Sequence, residues 1–347
     1  MKKLLAVILT AALILTGCGS SAESKIIEDS ANWDNIVVSS RNGVEVNLSE
    51  YAYWFYSSQR SLEQSAMDQG YTTAEISALW TDAEIENLHA MSAADSRQYA
   101  ELLSLANNAG VVLDTDEEAE ITLMVDGVVS SLGVENPADT DKSFLETFGL
   151  SIPQMTDAYK GITLINKYLM VLQESTDFSD DELKQIFDDQ PDYYGNNVIV
   201  RHVLILCNDG MPEDDQKAAK EKADEIMAML EDGADIGELA GEYSEDGGSS
   251  DNNGEYVFGR GEMVAEFEDW SFSAEVGDQG MVKTTYGYHI MEFMGEAGFD
   301  DVKETIRYEA IGNKINDIVN EAQTNATLEW ETDDETINSL PLLALVG

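Results

Sequence analysis

Residues 198–206 read VIVRHVLIL and residues 284–293 read TTYGYHIMEF, two β-like apolar runs that carry His202 and His289. The chain holds only three histidines, the third being His89. Scarce polar rings set into apolar strand sequence point to a shared pocket rather than to solvent. Between the two runs, residues 214–231 place Ala219, Ala223, Ile226 and Leu230 on one helical stripe that stops at Gly233. Asp235 opens a second short helix through Leu239 and Ala240, the turn-rich YSEDGGSSDNNGEY spans 243–256, and FEDWSF again reads as helix. The order is β-α-α-loop-β in about 100 residues, a small α+β unit.

Outside this unit the chain is mainly helical. Residues 36–47, IVVSSRNGVEVN, turn at Asn42-Gly43, a hairpin signal. A helix follows from Ser49 to Gly70 with Tyr51, Trp54 and Phe55 on one side. The next runs from Asp82 to Asn108, with Ile85, Leu88, Ala93, Leu102 and Leu105 as core candidates and Gly110 as its stop. His89 lies within it and reads as a solvated or half-buried helical residue. Asp114 or Thr115 caps a helix to about Leu132, Asn136-Pro137 breaks it, and Pro153 starts another reaching about Glu174. Ser179-Asp180-Asp181-Glu182 is a capping box, and Pro191 and Gly195 end the helix it opens. Asp301 to Gln323 is helical, with a stripe expected to pack back on the N-terminal helices. For the apolar tail LPLLALVG the pattern offers only docking.

The N-terminus reads as a targeting segment. Lys2 and Lys3 precede an apolar run from Leu4 to Leu15, followed by Leu15-Thr16-Gly17-Cys18. That run is well short of the roughly 20 residues a permanent span needs. The tetrapeptide LTGC resembles a bacterial lipobox, which implies cleavage before Cys18 and lipidation of its sulfur; the rival is an ordinary signal peptide with a chance cysteine. Cys207 is then the only other cysteine, so no disulfide framework exists, and its place at the end of an apolar strand reads as a buried structural thiol. With 19 basic against 68 acidic residues and a formal charge of −49, the chain is repelled by nucleic acid and by anionic lipid.

RHVLI (201–205), LAGEYSED (239–246), FGRGEMVAEFE (258–268) and TYGYHI (285–290) together resemble the parvulin family of peptidyl-prolyl cis/trans isomerases. The surrounding plan resembles the PrsA-type foldase lipoproteins of Gram-positive bacteria, whose flanks form one helical module similar to that of SurA-type chaperones; NGVEVNLSEYAYW and SDDELKQIF carry that match. The resemblance implies an α+β fold with a parvulin domain, a small antiparallel sheet with surrounding helices, inserted in the helical module. Its expected boundaries are a signal peptide over 1–17, a tether over 18–35, the N-terminal module over 36–195, the parvulin domain over 196–297, and a returning C-terminal helix plus tail over 298–347.

Carried over residue by residue, the resemblance makes His202 and His289 a pair at the pocket floor. Asp246 stands where relatives carry cysteine or aspartate, and Thr284 matches the threonine bonded to the pair. Met263 and Phe267 match the residues that hold the proline ring, with Tyr256 and Phe258 as further substrate-binding candidates. Phospho-directed members carry basic residues after the first strand, whereas this chain has NDGMPEDD there. The chain departs from the pattern at Asn252-Asn253-Gly254-Glu255, at Gly280 in place of a serine, and at Trp270 where a small residue is usual.

Rotating a peptide bond costs about 18–20 kcal/mol of lost resonance, and X-Pro bonds interconvert over tens to hundreds of seconds. No bond is broken, so neither nucleophile, metal nor cofactor is required; a site that favours the twisted amide suffices. Met263 and Phe267 can clamp the ring while the histidines, Asp246 and Thr284 stabilise the twisted carbonyl and nitrogen. Three rivals stay open. The histidine pair could simply tie two strands together. The parvulin domain could be weakly catalytic, with the helical module acting as a holdase for exported proteins. The acidic loop could bind calcium, although counting back from Gly254 puts Ser249 and Arg260 at the first and last ligand positions. The implied partners are unfolded exported polypeptides with X-Pro bonds and a lipid anchor at the outer face of the cytoplasmic membrane, with a homodimer left open.

Overall fold

The computed structural model describes residues 32–344 and divides the chain into two compact units. The first comprises the described residues through Thr176 together with those from Gly312 onward; the second is Asp177–Ile311, inserted in sequence between them. Among the described residues no helix is long and apolar enough to cross a membrane. Cys18 and the targeting segment lie outside the described residues.

The first unit begins with strands β1 (Val37–Arg41) and β2 (Val44–Asn47), joined by a two-residue turn in which Asn42 and Gly43 both have positive φ, 52° and 84°. That turn matches the right-handed twist of the strands, which is why Asn-Gly marks it. Asn47 then caps α1 (Leu48–Asp68) through a capping box with Glu50. Tyr51, Tyr53, Trp54, Phe55 and Tyr56 are all buried, so the start of α1 is covered around its circumference and not along one side only.

Helices α2 (Thr73–Leu79), α3 (Asp82–Asn108), α4 (Thr115–Ser131), α5 (Thr140–Phe148) and α6 (Ile152–Ser175) follow; α4 begins at its Asp114 cap and α6 beside Pro153, as the sequence announces, whereas α2 carries no such signal in that reading. On α3, Leu88 and Leu102 are buried, but Leu105 is 38% exposed, a correction to the expected core. His89 is half-buried, stacks on Phe55, and its Nδ1 meets the Tyr51 hydroxyl at 2.9 Å.

In the second unit, α7 (Asp180–Asp189) is opened by the Ser179–Glu182 capping box, and Pro191 begins the one-turn α8 (Pro191–Tyr194). The sheet is built from β3 (Val198–Leu206), β4 (Glu255–Phe258), β5 (Gln279–Lys283) and β6 (Gly287–Glu296), antiparallel throughout in the order β4-β3-β6-β5. The sequence pattern shows only β3 and β6. The edge strands β4 and β5 are too short, and β5 too glycine-containing, to declare themselves by alternation.

One face of the sheet packs Val203, Ile205, Cys207 and Ile290 against α9 (Glu213–Glu231) and α10 (Ile236–Tyr243). Cys207 is fully buried in that cluster. The other face carries the histidines and is covered by α11 (Ala265–Ser271).

Helix α12 (Phe299–Ala326) divides between the units. Its Val302 and Ile306 pack on Leu183 and Tyr194 of α7 and α8, so its first half is not free to join the N-terminal helices; from Gly312 on it belongs to the first unit. A helix of this length, about 40 Å at 1.5 Å per residue, outruns one small core. The chain closes with β7 (Glu331–Thr332), which pairs with β1, and α13 (Asp334–Ile337). The described part of the apolar tail, through residue 344, docks: Leu340 and Leu343 are buried, and Leu343 exchanges two hydrogen bonds with the Gln59 side chain.

Candidate active site

The pairing register of β3 and β6 brings the two histidines together. His202 lies opposite Met291 and His289 opposite Leu204, so the rings are diagonal neighbours on one face, within the reach of cross-strand pairs. A bulge between Ile199 and Val200 sets this register. The rings stack with centroids 5.2 Å apart and 16° between planes, and their Nδ1 atoms are 3.1 Å apart. Both are nearly excluded from solvent, at 2% and 6% exposure.

The partners around the pair fix who donates. Asp246 Oδ2 lies 3.0 Å from His202 Nε2 and accepts also from the Ser249 hydroxyl at 2.8 Å and the Tyr256 hydroxyl at 3.0 Å. Asp246 Oδ1 takes the Gly248 N–H at 2.9 Å. A carboxylate only accepts, so His202 carries its proton on Nε2, and its Nδ1 accepts from Nδ1–H of His289. The remaining nitrogen, His289 Nε2, then accepts from Thr284 Oγ1 at 2.9 Å, and Thr284 Oγ1 takes the Tyr286 N–H at 3.1 Å. Hydrogen bonds therefore run in one direction, from Tyr286 through Thr284, His289 and His202 to Asp246, with both imidazoles neutral.

The electrostatics agree with that assignment. Burial holds His289 down at about 4, reinforced by the neighbouring His202. Burial likewise lowers His202, against the opposing pull of Asp246. For Asp246 burial works upward, but the hydrogen bonds from Gly248, Ser249 and Tyr256 and the His202 ring outweigh it and keep the carboxyl below its ordinary range. It stays ionised at neutral pH as a fixed acceptor, not as a base.

Of the expected substrate-binding residues, Phe267 stands edge-on to both imidazoles at 5.3 Å and is 2% exposed, so it forms the floor under the pair. Met263 is half-buried beside it in the same cluster, and Tyr256 lies over His202 with centroids 5.4 Å apart. Phe258, at 1% exposure, is wedged against Phe267 and Phe272 and supports the floor. Its place opposite Val198 on β4 turns it into the sheet's own core.

Three features of the site have roles that the sequence reading does not assign. Ser249, 1% exposed, lies 3.1 Å from His202 Nε2; only its position three residues after Asp246 hinted at it. Gly254, with φ of 71°, gives its carbonyl to the His202 N–H at 2.9 Å, and a side chain there would run into the His202 carbonyl. The asparagine-rich loop is thus held to the histidine strand: Asn253 takes a left-handed conformation and Glu255 enters β4 opposite Arg201. Finally, Trp270 and Gly280 are one feature. A Cβ on Gly280 would stand 2.5 Å from Trp270 Nε1, so the missing side chain on β5 makes room for the indole from α11.

Residues 187–297 match the model of the PPIC-type PPIASE domain. The chain is 35% identical to a Foldase protein PrsA of Geobacillus kaustophilus over 147 residues, 41% of this chain and 47% of that protein. It is 29% identical to a Foldase protein PrsA of Oceanobacillus iheyensis over 64% of this chain and 72% of that one. The chain thus spans about half the length of the first curated relatives it matches, 47% and 49%. Among solved structures, PrsA from Bacillus subtilis aligns with a TM-score of 0.37 at 21% identity, covering 74% of this chain and 96% of that one. The parvuline of Nitrosopumilus maritimus is 33% identical over 29% of this chain and 97% of that one, with a TM-score of 0.24.

Proposed function

We propose that this chain, whose residues 187–297 form a PPIC-type peptidyl-prolyl isomerase domain, is an extracytoplasmic foldase that turns X-Pro bonds in exported polypeptides. What carries the reading is the ordered, neutral histidine pair between Thr284 and Asp246, set over the Phe267 floor. A prolyl ring resting on Phe267 and Met263 leaves water, which weakens the planar amide's solvation and strengthens any dipole aimed at it. His202, His289, Asp246 and Thr284 act as a preorganised polar wall that favours the twisted amide, and no step requires proton transfer.

Asp209 in the loop after β3, with Glu213, Asp214 and Asp215 in the first turn of α9, favours unphosphorylated X-Pro bonds over phosphorylated ones. Anchoring through a lipid on Cys18 at the outer face of the cytoplasmic membrane belongs to the same proposal, on the strength of the LTGC tetrapeptide.

A protease-coupled assay on an unphosphorylated X-Pro peptide tests the reading. Rate enhancement by the wild type, reduced at least about tenfold in both His202→Ala and His289→Ala, is expected. A second reading, a holdase with weak catalysis, draws on the burial of both Phe258 and Phe267, which leaves little apolar surface for a proline ring. Suppression of client aggregation with no rate above background would select it.

A further inference from the structure

Asp246 is gripped by more than the histidine. Its Oδ2 accepts from His202 Nε2 at 3.0 Å, from the Ser249 hydroxyl at 2.8 Å and from the Tyr256 hydroxyl at 3.0 Å, while Oδ1 takes the Gly248 N–H at 2.9 Å. The two hydroxyls stand outside the line of hydrogen bonds that runs from Thr284 to Asp246. Ser249 is 1% exposed, and its Oγ also lies 3.1 Å from His202 Nε2, so one hydroxyl touches both ends of the imidazole–carboxylate bond. Tyr256 reaches the same oxygen from β4, with its ring tilted 40° to the His202 ring. A ring tied to a carboxylate at its para oxygen cannot swing to follow a substrate.

The loop is shaped for that contact. A Cβ on Gly248 would stand 2.6 Å from the Tyr256 hydroxyl and 3.2 Å from Asp246 Oδ1. Gly248 is not among the glycines with positive φ, so the backbone does not call for glycine there. The space that the tyrosine hydroxyl needs does. Burial pushes the Asp246 carboxyl upward, and the bonds from Gly248, Ser249 and Tyr256, with His202, outweigh it. The titratable groups facing Asp246 are His202 on β3, with His289 of β6 behind that ring, and Tyr256 on β4; α11 presents Phe267, which does not titrate.

We propose that Ser249 and Tyr256 are positioning residues: their hydroxyls clamp the Asp246 carboxylate on His202 Nε2, and Tyr256 serves the reaction through that hydroxyl rather than as a wall for the proline ring. The proposal rests on the isomerase reading for its kinetic consequences, and on the hydrogen-bond geometry alone for its spectroscopic one. A carboxylate held ionised and in line fixes the Nε2–H tautomer of His202, and with it the direction in which both imidazoles donate. Without the clamp the carboxyl takes up a proton at higher pH and donates back to Nε2, which reverses that direction.

The test uses the full chain and exchange spectroscopy of an unphosphorylated X-Pro peptide, which needs no protease and so extends to acid pH. Tyr256→Phe keeps the ring and removes the oxygen. It should lower kcat about tenfold at pH 7 with KM within about twofold, and move the acid limb of the kcat profile to higher pH. Ser249→Ala should act in the same direction. Gly248→Ala, which keeps its own N–H but displaces the Tyr256 hydroxyl, should reproduce the Tyr256→Phe profile. Long-range proton–nitrogen spectra from pH 8 to pH 4 should keep His202 protonated on Nε2 alone to lower pH in the wild type than in the Ser249→Ala, Tyr256→Phe double variant. Tyr256→Phe with wild-type kcat and an unmoved acid limb, alongside a raised KM in Tyr256→Ala, makes the tyrosine a substrate wall and overturns the proposal. A loss of kcat that is the same at every pH, with the His202 titration unchanged, leaves the hydroxyls a purely structural role and also overturns it. If the wild type shows no enhanced exchange, the isomerase reading falls, and the His202 titration by itself decides for or against the clamp.

Discussion

Thr284→Val tests the direction of the hydrogen-bond chain. Valine nearly matches threonine in shape, so the substitution removes one hydroxyl and little else. In the wild type that hydroxyl donates to His289 Nε2 at 2.9 Å and accepts the Tyr286 N–H at 3.1 Å. Both histidine and threonine are buried, at 6% and 5% exposure, so no water readily replaces the donor. An abandoned buried acceptor costs about 1–3 kcal/mol.

Two escapes are closed. Protonating Nε2 opposes the burial that holds His289 at about 4. Switching His289 to the other tautomer would force His202 to present a lone pair from Nε2 to the ionised Asp246 at 3.0 Å. We therefore expect Thr284→Val to lose about 1–3 kcal/mol in urea unfolding, roughly 4–12 °C in the midpoint of the inserted unit. Long-range proton–nitrogen spectra at neutral pH should show wild-type His202 protonated on Nε2 and His289 on Nδ1. Stability unchanged within about 0.5 kcal/mol, or a wild-type His289 protonated on Nε2, refutes the reasoning.

Two further expectations follow from packing and burial. Gly280→Ser should lose about 1–3 kcal/mol because its Cβ meets the Trp270 indole, and adding Trp270→Ala should recover part of that loss, a coupling that a denaturant series on the four proteins measures. Burial raises Glu50 from 4.5 to about 7, against the Asn47 N–H bond that lowers it. The folded state therefore binds the extra proton: this contribution to stability is full below pH 4.5 and lost as pH rises through 7. Glu50→Gln, which keeps an acceptor for the Asn47 N–H, should stabilise the first unit by about 1–3 kcal/mol at pH 8 and little at pH 4.5; an equal effect at both would contradict the buried-acid account.

Much of the backbone plan is written locally. Asn42-Gly43 demands positive φ and so makes a hairpin, Ser179 and Glu182 cap each other, and Gly110 stops α3, because each satisfies backbone geometry or orphan N–H groups within a few residues. The pairing of His202 with His289 was legible from their scarcity and from the motifs around them. The sequence by itself also determined the acidity, 68 acidic against 19 basic residues.

What only the tertiary structure decided are relations between residues far apart in the chain. The bulge at Ile199 and Val200 sets which side chains on β3 face those on β6, and with it the contact between the imidazoles. Ser249 became a partner of His202, Phe258 went into the core, and the tail's Leu343 found Gln59. Trp270 and Gly280, separate anomalies in the sequence, became one fit between α11 and β5. Local patterns prescribe dihedral angles and caps, whereas the register of a sheet and the filling of a core are settled by close packing, where each side chain's place depends on all its neighbours at once.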